Sequence, residues 1–316
     1  MISCTEFIPL YSEFFKFLEK RGGYDEVLKY WYYLSDTNIG DPSNPHSMES
    51  FIRQYGGYDG AKKYWGHTTS EEACDTWSYV DPVKRFTYSG MNYCPSRGML
   101  NSFTHIEPYK NYCEHCKVIY NRVLEKHGVC YERDHSLVDQ AKCSSLLYEE
   151  GNRPSDDILT TSETVVYSEM KREGKKYLHR DFHLIGDNAL RYCGETYGDA
   201  EVTLFMKEFT LAFYAPQIET FKKDGLAACK AWIEKMYEIE ESSERLTTEL
   251  NGNKLTVKID YCPVIKYMRE LHQEPSKYYI EETTTHYAMI AEACGWDFNL
   301  TYYTKDGATE FTFTAK

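Results

Sequence analysis

The chain has 316 residues, 42% of them apolar and 27% charged, with a formal net charge of -13. A chain of this size buries a large core and holds one to three domains, and its acidic balance argues against binding a nucleic-acid backbone or an anionic membrane surface. No apolar run approaches the roughly 18 to 20 residues of a spanning helix. The start Met1-Ile2-Ser3-Cys4-Thr5-Glu6 lacks the basic and apolar stretches of a secretory signal, so a cytoplasmic location is expected.

In chain order, Phe7 to Lys20 carries Leu10, Phe14, Phe17 and Leu18 at helical spacing, stopped by Gly22-Gly23. A second helix is predicted over 24–33, a turn-rich loop over 36–45, a helix opening at Ser47, and another over 57–65. Residues 84–93 alternate as a strand, Pro95 suits the first turn of a helix, and a long helix over 109–127 ends at Gly128. Strands are predicted over 129–133 and 141–148, and the Gly, Pro and Asp of 149–157 read as a linker. The remainder predicts helices over 182–197, 199–213, 226–240, after Cys262 and over 280–294, with strands over 254–261, 298–304 and 309–314.

The order repeats, and so do short stretches. Tyr93-Cys94-Pro95 recurs 168 residues later as Tyr261-Cys262-Pro263, Gly57 to Trp65 lines up on Gly225 to Ile233, and Glu6 to Gly23 lines up on Asp181 to Gly198. The expectation is an α+β protein made by internal duplication, with repeats at 1–150 and 158–316. Each repeat would be a helical segment plus a three-stranded antiparallel sheet covered by helices. A pseudo-twofold arrangement would then put a cleft at the seam. Twenty-nine tyrosines and fifteen phenylalanines suit an ordinary core, a lined pocket or a homodimer interface.

Eleven cysteines, an odd number in a large chain, fit reduced thiols better than a disulfide framework. In the first repeat Cys94, Cys113, Cys116 and Cys143, with His105 and His115 as alternatives, supply the soft donors of a structural zinc site. The competing reading is buried thiols and helix packing. In the second repeat Cys262 opens a helix, where backbone amides favour a thiolate. His272 or His286 would be its base and Glu282 an orienting carboxylate, with His183 a further polar candidate. No organic cofactor is expected, and the partner would be a small molecule.

The Cys262-Pro263-Val264-Ile265-Lys266-Tyr267-Met268-Arg269 run, the Glu281-Glu282-Thr283-Thr284-Thr285 run and the closing Asp306 to Phe311 turn resemble the L-2-amino-thiazoline-4-carboxylic acid hydrolase-like family. Its members combine a Cys-Pro helix start, a helix closing in glycine and a terminal hairpin bearing a cysteine. Cys94-Pro95, Gly128 and Cys143 match that outline, and Cys262-Pro263 and Gly295 match it without the hairpin cysteine. The resemblance implies hydrolysis of a cyclic carbon–nitrogen bond in a small sulfur-containing acid, by a Cys/His pair or an activated water. The alternative is a non-catalytic binding or sensor protein with a structural zinc. An enzyme should leave Cys262 or a histidine open to a cleft; a sensor should seal them and keep a pocket open.

Overall fold

Long helices of this chain break where glycine adopts a backbone that no other residue takes comfortably. A computed structural model describes all 316 residues. Its first helix, α1 (Phe7–Leu34), bends at Gly23, with φ 69° and ψ -166°. Gly56 takes φ 89° and ψ 161° between α2 (Met48–Tyr55) and α3 (Gly57–Glu71). This corner of conformational space belongs essentially to glycine. Then follow β1 (Asp75–Asp81), β2 (Phe86–Tyr93), α4 (Pro95–Ser102), α5 (Glu114–Leu124), β3 (Val129–Asp134), β4 (Cys143–Glu149) and β5 (Val166–Met170).

The second run repeats this pattern. Gly198, with φ 98° and ψ 165°, separates α6 (Asp181–Tyr197) from α7 (Asp199–Phe213), and Gly225, with φ 73° and ψ -162°, bends α8 (Ala215–Ile239). Next come β6 (Leu246–Asn251), β7 (Lys254–Ile259), α9 (Pro263–Glu270), α10 (Thr284–Cys294), β8 (Asp297–Tyr303) and β9 (Thr309–Thr314). None of the helices is long and apolar enough to cross a membrane.

The architecture is α+β with two antiparallel sheets, one of five strands in the order β3-β4-β2-β1-β5 and one of four in the order β6-β7-β9-β8. Read from its other edge, the second order is β8-β9-β7-β6, which matches β3-β4-β2-β1 strand for strand. In both sheets a Cys-Pro helix follows the second strand. In both, the amide of that cysteine donates to the turn of the last hairpin: Cys94 N to Ala141 O at 2.7 Å and Cys262 N to Asp306 O at 3.0 Å.

Contacts divide the chain into one unit of Met1–Phe17 with Arg180–Lys316 and another of Leu18–His179. These limits differ from 1–150 and 158–316 for a physical reason. β5, beyond the expected linker, pairs with β1 from Thr76↔Met170 to Val80↔Val166 and extends the first sheet. The N-terminal residues belong with the second sheet's unit, where Phe7 stacks on Phe182 at 4.6 Å and Phe14 meets Phe205 edge-on at 4.9 Å. The three strands expected per sheet become five and four because β1, β5 and β6 also pair.

Within the Leu18–His179 unit, one face of the sheet carries Phe86, Leu146 and Tyr148, packed with Tyr88, Cys130, Leu159 and Val165. On the other face Trp65 of α3 stacks on Tyr131 of β3, centroids 4.6 Å apart, and Tyr120 of α5 meets Tyr131 edge-on. Within the other unit, Tyr287 of α10 stacks on Phe311 of β9 at 4.7 Å, and Phe311 and Phe313 are fully buried.

Candidate functional site

The helix-covered faces of the two sheets follow one register and differ in chemistry. In the second sheet Thr248 pairs with Val257, Val257 with Phe311, and Phe311 with Leu300. The neighbouring row is Leu250, Leu255, Phe313 and Phe298. Val257, Leu255 and both β9 phenylalanines are buried, as an inward sheet face should be. In the first sheet the corresponding row is Ser78, Ser89, Ser145 and Arg133, extended by Ser168 on β5. The next row is Val80, Thr87, Leu147 and Tyr131.

Hydroxyls and a guanidinium thus stand where the four-stranded sheet has a core. Each large apolar side chain forgone amounts to about 1.5–3 kcal/mol of burial. The space they would fill is a cleft of about 400 Å³ between this face and α3, within the range of small-molecule sites. Trp65, Lys62 and Thr69 of α3 line it together with Ser89, Arg133 and Cys143 of the sheet. None of its lining residues is Asp or Glu, in a chain with 49 of them.

Arg133 dominates the electrostatics. Its guanidinium lies 5.8 Å from the Tyr131 ring centroid, donates to Tyr131 Oη, and donates from Nη2 to Cys143 Sγ at 3.0 Å. Its Nε is enclosed without a hydrogen-bond partner, and no carboxylate pairs with it. An arginine is charged at any working pH, so the cleft carries an unneutralised cation. The serines are prepared for polar contact: Ser78 Oγ and Ser168 Oγ are 2.8 Å apart, and Ser89 Oγ and Ser145 Oγ 3.1 Å. Each hydroxyl pair uses one proton and leaves the other free to donate to a ligand.

The four expected zinc ligands Cys94, Cys113, Cys116 and Cys143 are neighbours, all half-buried and unbridged. They do not form a cage, because no three of their sulfurs lie within 4.8 Å of one another. Cys143 accepts from a cationic guanidinium, which opposes a metal ion at that sulfur. Burial raises the Cys94 and Cys143 thiols above their ordinary range, with Arg133 partly offsetting this at Cys143. Of the alternatives, His105 is exposed against Phe103. His115 is held near 4 by burial. Its Nδ1 faces Tyr112 O, leaving Nε2 3.4 Å from Cys116 Sγ.

The Cys262 site is not assembled as expected. Its thiol is buried, raised by that burial, and its hydrogen-bonding neighbour is Tyr279 Oη at 3.7 Å. Gly307 lies so close that an added Cβ would come 2.3 Å from Cys262 Cβ, so the hairpin turn seals the sulfur. His272 is exposed on a left-handed residue after α9. His286 is fully buried, its Nδ1 3.1 Å from Thr210 Oγ1 and its ring against Tyr214 and Trp232. Neither ring bonds the thiol. Glu282 is buried and raised to about 7 by that burial, with the Met1 amino group and His183 pulling it down; it accepts from Ile2 N at 3.4 Å. His183 pairs with Glu240 at 3.1 Å.

Sequence reasoning missed Arg133 and the serine row. Their signal was present in Arg133 and Ser145, where the second run has Leu300 and Phe311, but it needs the strand register to be read. No family model, curated protein or solved structure matches the chain.

Proposed function

We propose that this protein binds a small organic anion, a carboxylate attached to an apolar or aromatic body, in the cleft between α3 and the first sheet. The observation that carries this reading is Arg133, a guanidinium without a counter-ion in a cleft free of acidic residues. Its guanidinium and the free serine protons would hold the carboxylate, and Trp65 and Met91 would cover the body. A charge-assisted hydrogen bond of this type contributes about 1.5–3 kcal/mol.

Cys262 and His286 are sealed within their own unit while the cleft at Arg133 is open, which favours binding over a thiol-based hydrolase. The shared strand order, the four glycine bends and the two cysteine-to-turn hydrogen bonds support an origin by duplication. On that reading one copy kept its apolar face and the other exchanged it for a ligand site.

Isothermal titration with benzoate and with benzamide tests the proposal. Benzoate should bind and the uncharged amide should bind at least about tenfold more weakly, and Arg133→Leu should remove the difference. Equal binding of the two, or a preference that survives Arg133→Leu, would refute it.

A further inference from the structure

A second recess, of about 220 Å³, lies in the unit of the four-stranded sheet and is independent of the anion cleft. Its walls come from the start of α6, the end of α8 and the first turns of α9, and they are mostly polar: Arg180, His183, Glu240, Arg245, Lys266 and Tyr267 among them. His183 is four per cent exposed and Glu240 one per cent, with Nε2 of the ring 3.1 Å from Oε2 of the carboxylate. The carboxylate is itself fixed. Cys4 N donates to its other oxygen at 2.6 Å, and Arg180 donates to the Glu240 carbonyl at 2.7 Å. Burial alone would raise Glu240, but His183 and the Cys4 amide outweigh it and hold the carboxyl near 2, so it stays ionised.

The orientation of the ring matters. Nε2 is the enclosed nitrogen; it lies 3.1 Å from Glu240 Oε2 as an ion-pair contact without forming a hydrogen bond. His183 contributes to the recess wall, and Nδ1 is the nitrogen that is neither enclosed nor bonded. An imidazole with one nitrogen against a buried carboxylate and the other not enclosed, on the wall of a small polar space, can act as a general base.

We infer that His183, positioned by Glu240, is an acid–base centre for hydrolysis of a small ester or amide in this recess. Nδ1 takes a proton from water while the water oxygen forms a bond to the acyl carbon. The bond from that carbon to the leaving oxygen or nitrogen then breaks, and the imidazolium returns its proton to the leaving atom. Water is the only co-reactant, and the products are an acid and an alcohol or amine. Glu240 remains charged throughout and steadies the imidazolium. Cys262 takes no part.

The probe is 4-nitrophenyl acetate, small enough for the recess, with release of 4-nitrophenol followed for the intact protein. Wild type should turn it over with saturation, and His183→Ala should lose about a hundredfold of that rate. Added imidazole should restore part of the loss in His183→Ala, saturably and beyond what free imidazole achieves, while leaving wild type unchanged. Cys262→Ser should retain the wild-type rate. Absence of saturable turnover in wild type, an undiminished rate in His183→Ala, or a loss that imidazole does not restore would each overturn the inference. The last outcome would mark the pair as structural only. Circular dichroism of each variant confirms that the rates compared are those of folded protein.

Discussion

Arg133 and Leu300 occupy the same position in two sheets of one strand order. Arg133 pairs across to Ser145 and Leu300 to Phe311, and the rows continue as Ser89 and Val257. Where one sheet closes its core, the other presents a cation and hydroxyls to a cleft. A sheet face that gives up this much burial is less stable than it could be, which is the usual condition of a binding site. On the proposed reading, the four-stranded sheet acts as an internal reference for the fold without a ligand site.

Replacing Arg133 by its counterpart should raise stability while removing binding. Arg133→Leu deletes a partly desolvated charge that has no carboxylate and adds apolar surface, at the loss of hydrogen bonds to Tyr131 and Cys143. The expected gain is about 1–2 kcal/mol, measured by urea unfolding monitored by tryptophan fluorescence. A fall in stability would mean that the guanidinium is a structural strut.

Filling the cleft should act in the same direction. Ser89→Val with Ser145→Phe copies Val257 and Phe311 of the second sheet into a space of about 400 Å³. The double variant should gain about 1–3 kcal/mol and lose benzoate binding. Unchanged binding would place the ligand elsewhere.

The glycine bends should be sensitive for reasons of backbone alone. At Gly23, Gly56, Gly198 and Gly225 an added Cβ would touch nothing within 4 Å, so no clash is involved. Gly198→Ala and Gly225→Ala should each still cost about 1–3 kcal/mol, because φ is positive with ψ near ±160°. Gly66→Ala, inside α3 and equally open, should be neutral or stabilising. A Gly198→Ala protein as stable as wild type would contradict the assigned bend.

How far the sequence spoke depended on the length of the pattern. The α6, α7, α9 and α10 helices, the part of α8 beyond Gly225 and the closing β8–β9 hairpin were legible, because apolar spacing and Gly295 mark them over many residues. β1 and β5 were not. Asp75–Asp81 carries Trp77 and Tyr79 on one face and Thr76 and Ser78 on the other, both half-buried, so no apolar alternation stands out. Val166–Met170 is almost wholly exposed and is a strand only because β1 pairs with it. The zinc candidates were found as neighbours, yet Arg133 was passed over, since a single arginine in a strand has no signature until the register sets it beside Cys143 and Ser145. Cys262 looked reactive from its helix start, but the seal depends on Gly307, 45 residues further on.

Two buried carboxyls set opposite limits on stability with pH. Glu282 is raised by burial to about 7, so the folded state holds a proton that the unfolded chain releases near the ordinary Glu range. Its contribution is fully present below that range and is lost as pH rises to about 7. Glu240 is held down near 2. Its contribution is present above the ordinary range and is lost as pH falls toward 2. Unfolding midpoints against pH should therefore fall on both sides of a maximum in the mildly acidic range. Glu282→Gln should flatten the upper limb and Glu240→Gln the lower one; a limb unchanged by its variant would reject that assignment.

The most direct measurement is a crystal of the protein soaked with 4-bromobenzoate and examined at the bromine edge. The carboxylate should lie against the Arg133 guanidinium beside Ser145, with the bromine peak in the cleft beneath Trp65. A peak outside the cleft, or the same peak in crystals of Arg133→Leu, would contradict the account.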